Sequence, residues 1–168
     1  MHIVAVAGVA LLLIAPLPDL AWGVGGKIRP ISYPADWATV AQRIPADSGT
    51  VALWPADTVR RYDFTTGPSL DPSARWLRAP VIESGRLVVD GIEIDPPSAH
   101  AAAVADILTA GGDPRELARL GVGWVLVEGG PTPHLLGDAP EFAGTHLRLY
   151  RIDEPADRSA STALRATA

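Results

Sequence analysis

Residues 113–128, with the sequence DPRELARLGVGWVLVE, decide the fold of this chain. Their first four residues form a complete helix start, because an Asp N-cap, a Pro at the first helical position and a Glu three residues after the cap each favour an N-terminus. The helix is predicted to end before Gly121. Residues 123–128 (GWVLVE) are then typical of a buried strand, since four consecutive apolar residues leave no polar face. A helix leading directly into a buried strand predicts an α/β fold.

The same alternation of helix and strand patterns extends over the rest of the chain. Runs bounded by proline or glycine predict the strands, and Asp90-Gly91 marks a hairpin turn between two of them. Ser and Asp N-caps predict the helix starts. We therefore expect a small layered mixed sheet with helices on it. The predicted helices are 37–44 with Asp36 as N-cap, 98–110 and 114–120; the strands are 50–54, 60–65, 86–89, 92–94, 123–128 and 146–152; 66–78 is a loop.

An apolar segment opens the sequence. Residues 3–15 (IVAVAGVALLLIA) contain no charge, but a membrane helix needs about 20 apolar residues, and Pro16 and Pro18 would end or bend the helix. Three interpretations are open: a membrane helix, complete or truncated; a signal peptide, which normally has a positive charge before its apolar region; and a buried core segment. We favour a transmembrane-like helix over residues 1–22, since Trp22 lies where interfacial aromatic residues are found.

Two positive charges, Lys27 and Arg29, follow the apolar segment. The positive-inside rule places such residues on the cytoplasmic side of a membrane, which opposes the extracytoplasmic orientation that a family resemblance implies below. Composition divides the sequence into four parts. These are a hydrophobic membrane helix or its remnant over residues 1–22, a linker over 23–32, a soluble α/β domain over 33–152 and a disordered tail over 153–168.

Composition also excludes several classes of function. The 168 residues contain 19 Asp and Glu against 14 Lys and Arg, with a net charge of −5, so no nucleic-acid partner is expected. There is no cysteine, which excludes disulfides, thiolate metal sites and a cysteine nucleophile. The sequence has no phosphate-loop, dinucleotide-binding or metalloprotease motif, and its four histidines are scattered. We therefore predict no catalytic residue, no metal ion and no cofactor for this chain alone.

The segment from Trp54 to Trp76 carries the candidate binding site. Arginine, aspartate and aromatic residues are concentrated here, and this composition suits a surface that binds sugars or phosphates. A second interpretation is a polar loop whose Arg–Asp pairs hold it to the sheet and whose aromatic rings fill a small core. The candidate binding residues are Trp54, Arg60, Arg61, Tyr62, Asp71, Arg75 and Trp76.

Short segments in a fixed order resemble a family of membrane proteins. In residues 117–127 a short helix is followed by Leu-Gly-Val, an aromatic residue and a strand. This pattern is similar to the C-terminal extracytoplasmic α/β domain, with the end of the last transmembrane helix, of large actinobacterial polytopic membrane proteins of the GT-C glycosyltransferase or YfhO-like type. The resemblance covers most of residues 10–152. The other similar segments are 33–37 (YPADW), 51–55 (VALWP), 60–62 (RRY), 70–77 (LDPSARWL) and 147–151 (LRLYR).

The resemblance implies a non-catalytic, membrane-attached extracytoplasmic domain that takes part in cell-envelope glycan assembly. In this family the catalytic acidic residues lie in loops that this sequence does not contain, and the donor is a polyprenyl-linked sugar. The implied partners are membrane lipid, the rest of a polytopic membrane protein and a cell-envelope glycan, and the implied location is the cell membrane. The alternative is a stand-alone secreted or membrane-anchored glycan-binding module that uses the segment from Trp54 to Trp76.

Overall fold

The computed structural model describes residues 30–83, 87–95 and 98–152, together with residues 6, 8, 14, 15 and 26. The chain divides into two compact units, residues 1–32 and residues 33–168. Most of the predicted membrane helix and the whole predicted tail lie outside the described residues. Among the residues that are described, no helix combines the length and the hydropathy that crossing a membrane requires.

The second unit alternates helices and strands along the chain. Its described helices are α1 (Ala35–Arg43), α2 (Ser73–Trp76), α3 (Ala99–Ala110) and α4 (Pro114–Arg119), with a 3₁₀ turn at His134–Leu136. Its described strands are β1 (Thr50–Trp54), β2 (Val59–Arg60), β3 (Ser69–Leu70), β4 (Val81–Ile82), β5 (Leu87–Val89), β6 (Ile92–Asp95), β7 (Val122–Glu128), β8 (Phe142–Ala143) and β9 (Leu147–Arg151).

Five of these strands form one mixed sheet in the order β4-β1-β7-β9-β8. Strands β4, β1 and β7 are parallel, whereas β9 is antiparallel to both β7 and β8. The pair β2–β3 and the hairpin β5–β6 are separate two-stranded ribbons. A mixed sheet accompanied by helices confirms the predicted α/β fold.

Helices cover both faces of the sheet, so β7 is buried on both sides. On one face α1 packs through Trp37 and Val40 against β1, β7 and β9, and further aromatic rings join it there; we call this the aromatic face. On the opposite face, the aliphatic face, α3 and α4 pack through Leu108 and Leu117. Burial on both faces explains the continuous apolar run in β7, because a strand with one solvated face would alternate.

A bulge at Gly123 sets the register between β1 and β7. Val122 belongs to the aliphatic core and Trp124 to the aromatic core, although residues two apart on a regular strand face the same side. The pairing shows the same irregularity, because one step along β1 there corresponds to two steps along β7. A Cβ atom at position 123 would overlap the carbonyl oxygen of Ser48, so this close approach of two backbones requires glycine.

Most predicted elements are confirmed. Strand β1 has the predicted bounds, and β5 and β6 form the hairpin around Asp90-Gly91. Ser98 is the N-cap of helix α3, and its hydroxyl accepts a hydrogen bond from the Ala101 N–H at 3.1 Å. Asp113 is the N-cap of helix α4, and Pro114 is the first residue of that helix. Local capping and turn chemistry was therefore sufficient to place these elements.

The strand predicted over residues 60–65 is wrong beyond its first residue. Strand β2 is only Val59–Arg60, and the chain then turns, with the Thr65 N–H donating to the Tyr62 carbonyl at 3.2 Å. The side chains of Arg60 and Tyr62 instead reach across to the end of β7. Contacts distant in sequence thus outweigh the strand propensity of this segment.

Helix α1 begins earlier than predicted, and Asp36 is not its N-cap. The helix starts at Ala35 after Pro34, with no side-chain cap. The Asp36 carboxylate accepts hydrogen bonds from the N–H groups of His146 and Leu147 at 2.7 and 3.3 Å. Asp36 therefore joins α1 to the start of β9, where two backbone donors would otherwise lack partners.

Candidate functional site

The candidate site lies where β1 and β7 end. After β1 the next strand of this sheet is β4, which lies next to β1 at one edge of the sheet. After β7 the chain goes to β8 and β9, which lie toward the opposite edge. In open α/β sheets, ligands bind outside the carboxyl ends of strands at such a reversal of direction. Glu128, the last residue of β7, occupies this position.

The Glu128 carboxylate is fully buried and accepts three hydrogen bonds. Its side chain has 0% exposure. Oε1 accepts from the Ser73 hydroxyl at 2.9 Å. Oε2 accepts from the Tyr62 hydroxyl at 2.7 Å and from Arg60 Nε at 3.1 Å. The carboxylate thereby ties the segment between β1 and β4 to the end of β7, because all three donors belong to that segment.

Arg60 is shared between two carboxylates. Its Nη2 donates to Asp71 Oδ2 at 3.0 Å, while Nε faces Glu128. The other oxygen of Asp71 accepts from the Ser73 N–H at 2.7 Å, which starts helix α2 inside the stretch predicted as loop. The remaining nitrogen, Arg60 Nη1, is buried and has no hydrogen-bond partner among the described residues. We call Arg60, Tyr62, Asp71, Ser73 and Glu128 the Glu128 cluster.

The Glu128 cluster contains two carboxylates against one guanidinium, so its charges do not balance. Burial, with the nearby Asp71 charge, raises the pKa of Glu128 to about 7; Arg60 and the hydrogen bonds from Tyr62 and Ser73 act in the opposite direction. Burial and the Glu128 charge also raise the pKa of the Tyr62 hydroxyl, which stays protonated and can donate. With this raised pKa, Glu128 can exchange a proton near neutral pH.

A cavity of about 200 Å³ lies on the aliphatic face beside the cluster. Helix α3 contributes Val104, Ala105 and Leu108 to its wall, and Arg60 and Asp71 line it from the cluster side. We call it the aliphatic cavity. Its full lining is Leu53, Ala56, Asp57, Thr58, Arg60, Leu70, Asp71, Ala74, Arg75, Ile82, Glu83, Ala101, Val104, Ala105 and Leu108.

A cleft of about 270 Å³ lies on the other side of the cluster, on the aromatic face. The rings of Tyr62 and Phe64 stack there with centroids 4.8 Å apart. His146 meets the Phe64 ring edge to face at 5.8 Å and pairs with Asp63 at 3.4 Å. We call it the aromatic cleft. Its lining is Trp37, Arg61, Tyr62, Asp63, Phe64, Glu128, Gly129, Thr145, His146 and Leu147.

The structure distributes the seven predicted binding residues over several places. Arg60, Tyr62 and Asp71 meet in the Glu128 cluster. Arg61 lines the aromatic cleft and Arg75 the aliphatic cavity, so the cluster lies between them.

The two tryptophans among these seven residues lie in neither opening. The Trp54 indole N–H donates to the Pro131 carbonyl at 3.0 Å, and its ring packs on the aliphatic core. Trp76 packs against Tyr33 and Trp37, with centroids 5.8 and 6.4 Å away. These rings serve packing, which is the role that the second interpretation of the segment gives them.

Several residues of the site were not predicted. Glu128 had a recognisable pattern, because an acidic residue directly after four buried apolar residues of a parallel strand lies at the edge where ligands bind. Phe64 belongs to the aromatic residues of the segment from Trp54 to Trp76 but was not among the candidates. Ser73 and His146 had no such pattern. They come together through the path of the loop after β2 and through the Asp36 bonds that hold the start of β9.

Comparison with known proteins adds no constraint on the function. No family model, no curated protein and no solved structure matches this chain. Within residues 30–83, 87–95 and 98–152 there is no group of three His, Asp or Glu side chains that could hold a metal ion. The function is therefore inferred from the geometry of the described residues, above all from the Glu128 cluster and the openings beside it.

Proposed function

We propose that residues 33–152 form a non-catalytic extracytoplasmic domain that binds a cell-envelope glycan in the aromatic cleft. In this proposal a hydrophobic helix over residues 1–22 attaches the domain to the membrane, and the whole is the C-terminal part of a GT-C-like glycosyltransferase-type membrane protein. The observation that carries the proposal is the lining of the aromatic cleft, which combines rings with charged and polar side chains.

The side chains that line the aromatic cleft suit a sugar ring. Tyr62 and Phe64 provide apolar ring surface for the C–H groups of a sugar. Arg61 and Asp63 are exposed beside the rings, with 74% exposure for the Asp63 side chain, and can exchange hydrogen bonds with hydroxyl groups. His146 adds a donor or an acceptor at the same opening. A few polar groups around an apolar surface are the usual design of a small-molecule site.

The arrangement of the acids supports binding without hydrolysis. Glycoside hydrolysis needs two carboxyl groups that flank the scissile bond, and both Asp63 and Glu128 line the aromatic cleft. The Glu128 side chain, however, has 0% exposure and is bonded to Arg60, Tyr62 and Ser73. The Glu128 carboxylate is therefore closed off from a ligand in the cleft. Asp63 is the carboxylate that a bound glycan would contact.

The matched substitutions Arg61→Ala and Arg75→Ala test the glycan site. Each removes one exposed arginine, but Arg61 lines the aromatic cleft and Arg75 the aliphatic cavity. Binding of soluble oligosaccharide fragments from the native cell envelope is measured by calorimetry on the full chain in detergent. Arg61→Ala should weaken binding about tenfold, the loss of one hydrogen bond to a charged group, while Arg75→Ala should bind like the wild type.

Two results would contradict the glycan proposal. The first is the absence of oligosaccharide binding to the wild-type chain in a preparation shown to be folded by circular dichroism. The second is equal loss of affinity in both arginine variants, which would mean that overall charge, and not the aromatic cleft, controls binding.

Membrane attachment is tested by fractionating native cells and immunoblotting with an antibody against residues 33–152. A membrane band well above 17.6 kDa supports a polytopic parent protein, and a membrane band at 17.6 kDa supports a single anchor. A soluble or secreted band overturns membrane attachment and favours the stand-alone glycan-binding module.

Orientation is tested by labelling, since the sequence has no cysteine. A single cysteine introduced at the exposed Asp138 should react with a membrane-impermeant maleimide added to intact cells. Reaction only after lysis would place the domain in the cytoplasm, as Lys27 and Arg29 favour.

A further inference from the structure

A chain of hydrogen bonds runs from the aliphatic cavity to the aromatic cleft. It begins at Asp71, which lines the cavity and accepts from Arg60 Nη2 at 3.0 Å. Arg60 Nε donates to Glu128 Oε2 at 3.1 Å, and the same oxygen accepts from the Tyr62 hydroxyl at 2.7 Å. Tyr62 lines the cleft. The cleft is thus bonded to Arg60 and Asp71, two residues that do not line it.

The place of the Tyr62 side chain is set by two ring contacts and one hydrogen bond. Its ring stacks on Phe64 with centroids 4.8 Å apart and meets Trp37 edge to face at 6.4 Å. Such ring pairs are favourable over a wide range of separations, about 4.5–7 Å. A hydroxyl that donates to a carboxylate keeps a much narrower distance of about 2.5–2.7 Å. The bond to Glu128 is therefore the contact that fixes where the ring lies.

The Glu128 carboxylate is itself held by residues outside the cleft. The Ser73 hydroxyl donates to Oε1 at 2.9 Å, opposite the oxygen that Arg60 and Tyr62 share. Asp71 is bonded to both of these further donors, because one of its oxygens accepts from Arg60 and the other from the Ser73 N–H at 2.7 Å. Asp71 therefore orients the two donors that hold the carboxylate against Tyr62.

We propose that Glu128 is a positioning residue of the glycan site, because its carboxylate holds the Tyr62 ring where a sugar would lie against it. Asp71 orients this carboxylate through Arg60 and Ser73. This role rests on the proposed glycan binding, since it concerns the placement of a ring that the sugar contacts. None of the orienting side chains touches the ligand, so all of them act through Tyr62.

The strength of the bond between Tyr62 and Glu128 depends on the charge of the carboxylate. A hydrogen bond to an ionised group is roughly twice as strong as one between neutral groups. Burial, with the charge of Asp71, raises the pKa of Glu128 to about 7, so the bond strengthens as the pH rises through that value. Arg60, Asp71 and Tyr62 are the charged or titratable groups that face the carboxylate. Those that line the cleft with it are Arg61, Asp63 and His146.

Tyrosine labelled with ¹³C at Cζ reports on the Tyr62 hydroxyl without any glycan. The chain has three tyrosines, and Tyr62→Phe identifies the Tyr62 signal by removing it. In the full-length chain in detergent, this signal should shift with a midpoint near pH 7. The shift should be absent in Glu128→Gln, which keeps the shape of the side chain and loses its titration. Tyr150, which belongs to the aliphatic core, is the internal control.

A Tyr62 signal that does not move between pH 5 and pH 9, or that moves equally in Glu128→Gln, would overturn the positioning role whether or not a glycan binds. If Glu128→Gln does not fold, the pH response of the wild-type signal decides. Conversely, a folded wild-type chain that binds no oligosaccharide contradicts the glycan proposal, while the Tyr62 signal still decides whether Glu128 positions the ring.

The matched substitutions Asp71→Asn and Asp57→Asn test the effect on the glycan. Both residues line the aliphatic cavity and neither lines the aromatic cleft, but only Asp71 is bonded to Arg60 and Ser73. In calorimetry with soluble oligosaccharide fragments from the native cell envelope, Asp71→Asn should weaken binding at least threefold and Asp57→Asn should leave it unchanged. Equal affinities of the two variants would overturn the role of Asp71. If Asp71→Asn does not fold, Ser73→Ala takes its place.

The pH profile of binding separates positioning from a purely structural role. From pH 6 to pH 8 the wild-type affinity for the oligosaccharides should rise about threefold relative to that of Glu128→Gln, because only the wild type gains a charged acceptor for Tyr62. Asp63 and His146 are present in both chains, so the ratio of the two affinities removes their contribution. A ratio that stays constant over this range would overturn the proposal.

Discussion

The two ends of strand β7 are held in place by different forces. At its amino end, Gly123 lies directly against the backbone of Ser48 and Gly49, and the Trp124 indole N–H donates to the Ser48 hydroxyl at 2.8 Å. At its carboxyl end, Glu128 is surrounded by the donors of the Glu128 cluster. Close backbone packing fixes the amino end of β7, and hydrogen bonds to the buried Glu128 carboxylate fix the carboxyl end.

Both ends of β7 border openings: the aliphatic cavity and the aromatic cleft flank the carboxyl end, and a pocket of about 380 Å³ lined by Gly123 and Trp124 lies at the amino end. The backbone contact at Gly123 excludes a side chain at that position, whereas at the carboxyl end Arg60 and Tyr62 reach from the segment between β1 and β4 to Glu128. The aliphatic cavity and the aromatic cleft lie on the two sides of these side chains. A buried charge pair contributes little net stability, although removing one of its partners is costly.

Removing the Glu128 carboxylate at the carboxyl end of β7 should have the largest effect on stability. In Glu128→Ala the side chains of Arg60, Tyr62 and Ser73 each lose a buried partner. Breaking a buried ion pair from one side costs about 3–5 kcal/mol, so urea unfolding at pH 8 should show a loss of that size. Glu141→Ala removes an exposed acid and should change stability by less than about 0.5 kcal/mol. Equal effects would mean that the cluster does not hold the loop.

Adding a methyl group at Gly123, at the amino end of β7, should reduce stability by a somewhat smaller amount. Gly123→Ala forces a Cβ atom against the Ser48 carbonyl, and overpacking of this kind costs about 1–3 kcal/mol. Because two backbones must separate, we expect the upper part of that range. Gly67→Ala is the matched control, since a Cβ atom there meets nothing within 4 Å. A Gly123→Ala variant as stable as Gly67→Ala would show that shape does not fix this end.

The pH dependence of stability also distinguishes the two ends of β7, and it is the smallest of the three expected effects. The Glu128 pKa is about 7 in the folded chain against an ordinary value of 4.5. Between these values the folded state keeps a proton that the unfolded state has lost, so stability should fall as pH rises, by up to about 1.4 kcal/mol per pH unit. The test compares urea unfolding of the wild type and Glu128→Gln between pH 5 and pH 7.

Glu128→Gln should lack this part of the slope, because its amide does not titrate in that range. Gly123→Ala should retain it in full, since the glycine contact contains no titratable group. Equal slopes in the wild type and Glu128→Gln would assign the proton to another group and would contradict the raised pKa of Glu128.

Part of the candidate site could be predicted from the sequence. The concentration of Arg, Asp and aromatic residues between Trp54 and Trp76 pointed to the segment that contributes Arg60, Tyr62 and Asp71 to the cluster. It could not show that Arg60 pairs with Glu128, because these residues are 68 positions apart. Composition within a loop gives the available side chains, and only the path of the loop decides which of them face water.

The sequence by itself determined the elements whose information is local. The DPRE helix start, the Asp90-Gly91 turn and the apolar run of β7 involve neighbours only a few residues apart, so the helix, the hairpin and the buried strand followed from them. Tertiary structure alone decided that Asp36 bonds to the start of β9, that β2 ends after Arg60, and that Glu128 lies between two openings. These features arise because buried polar groups must find partners wherever the fold brings them, and sequence distance does not restrict that choice.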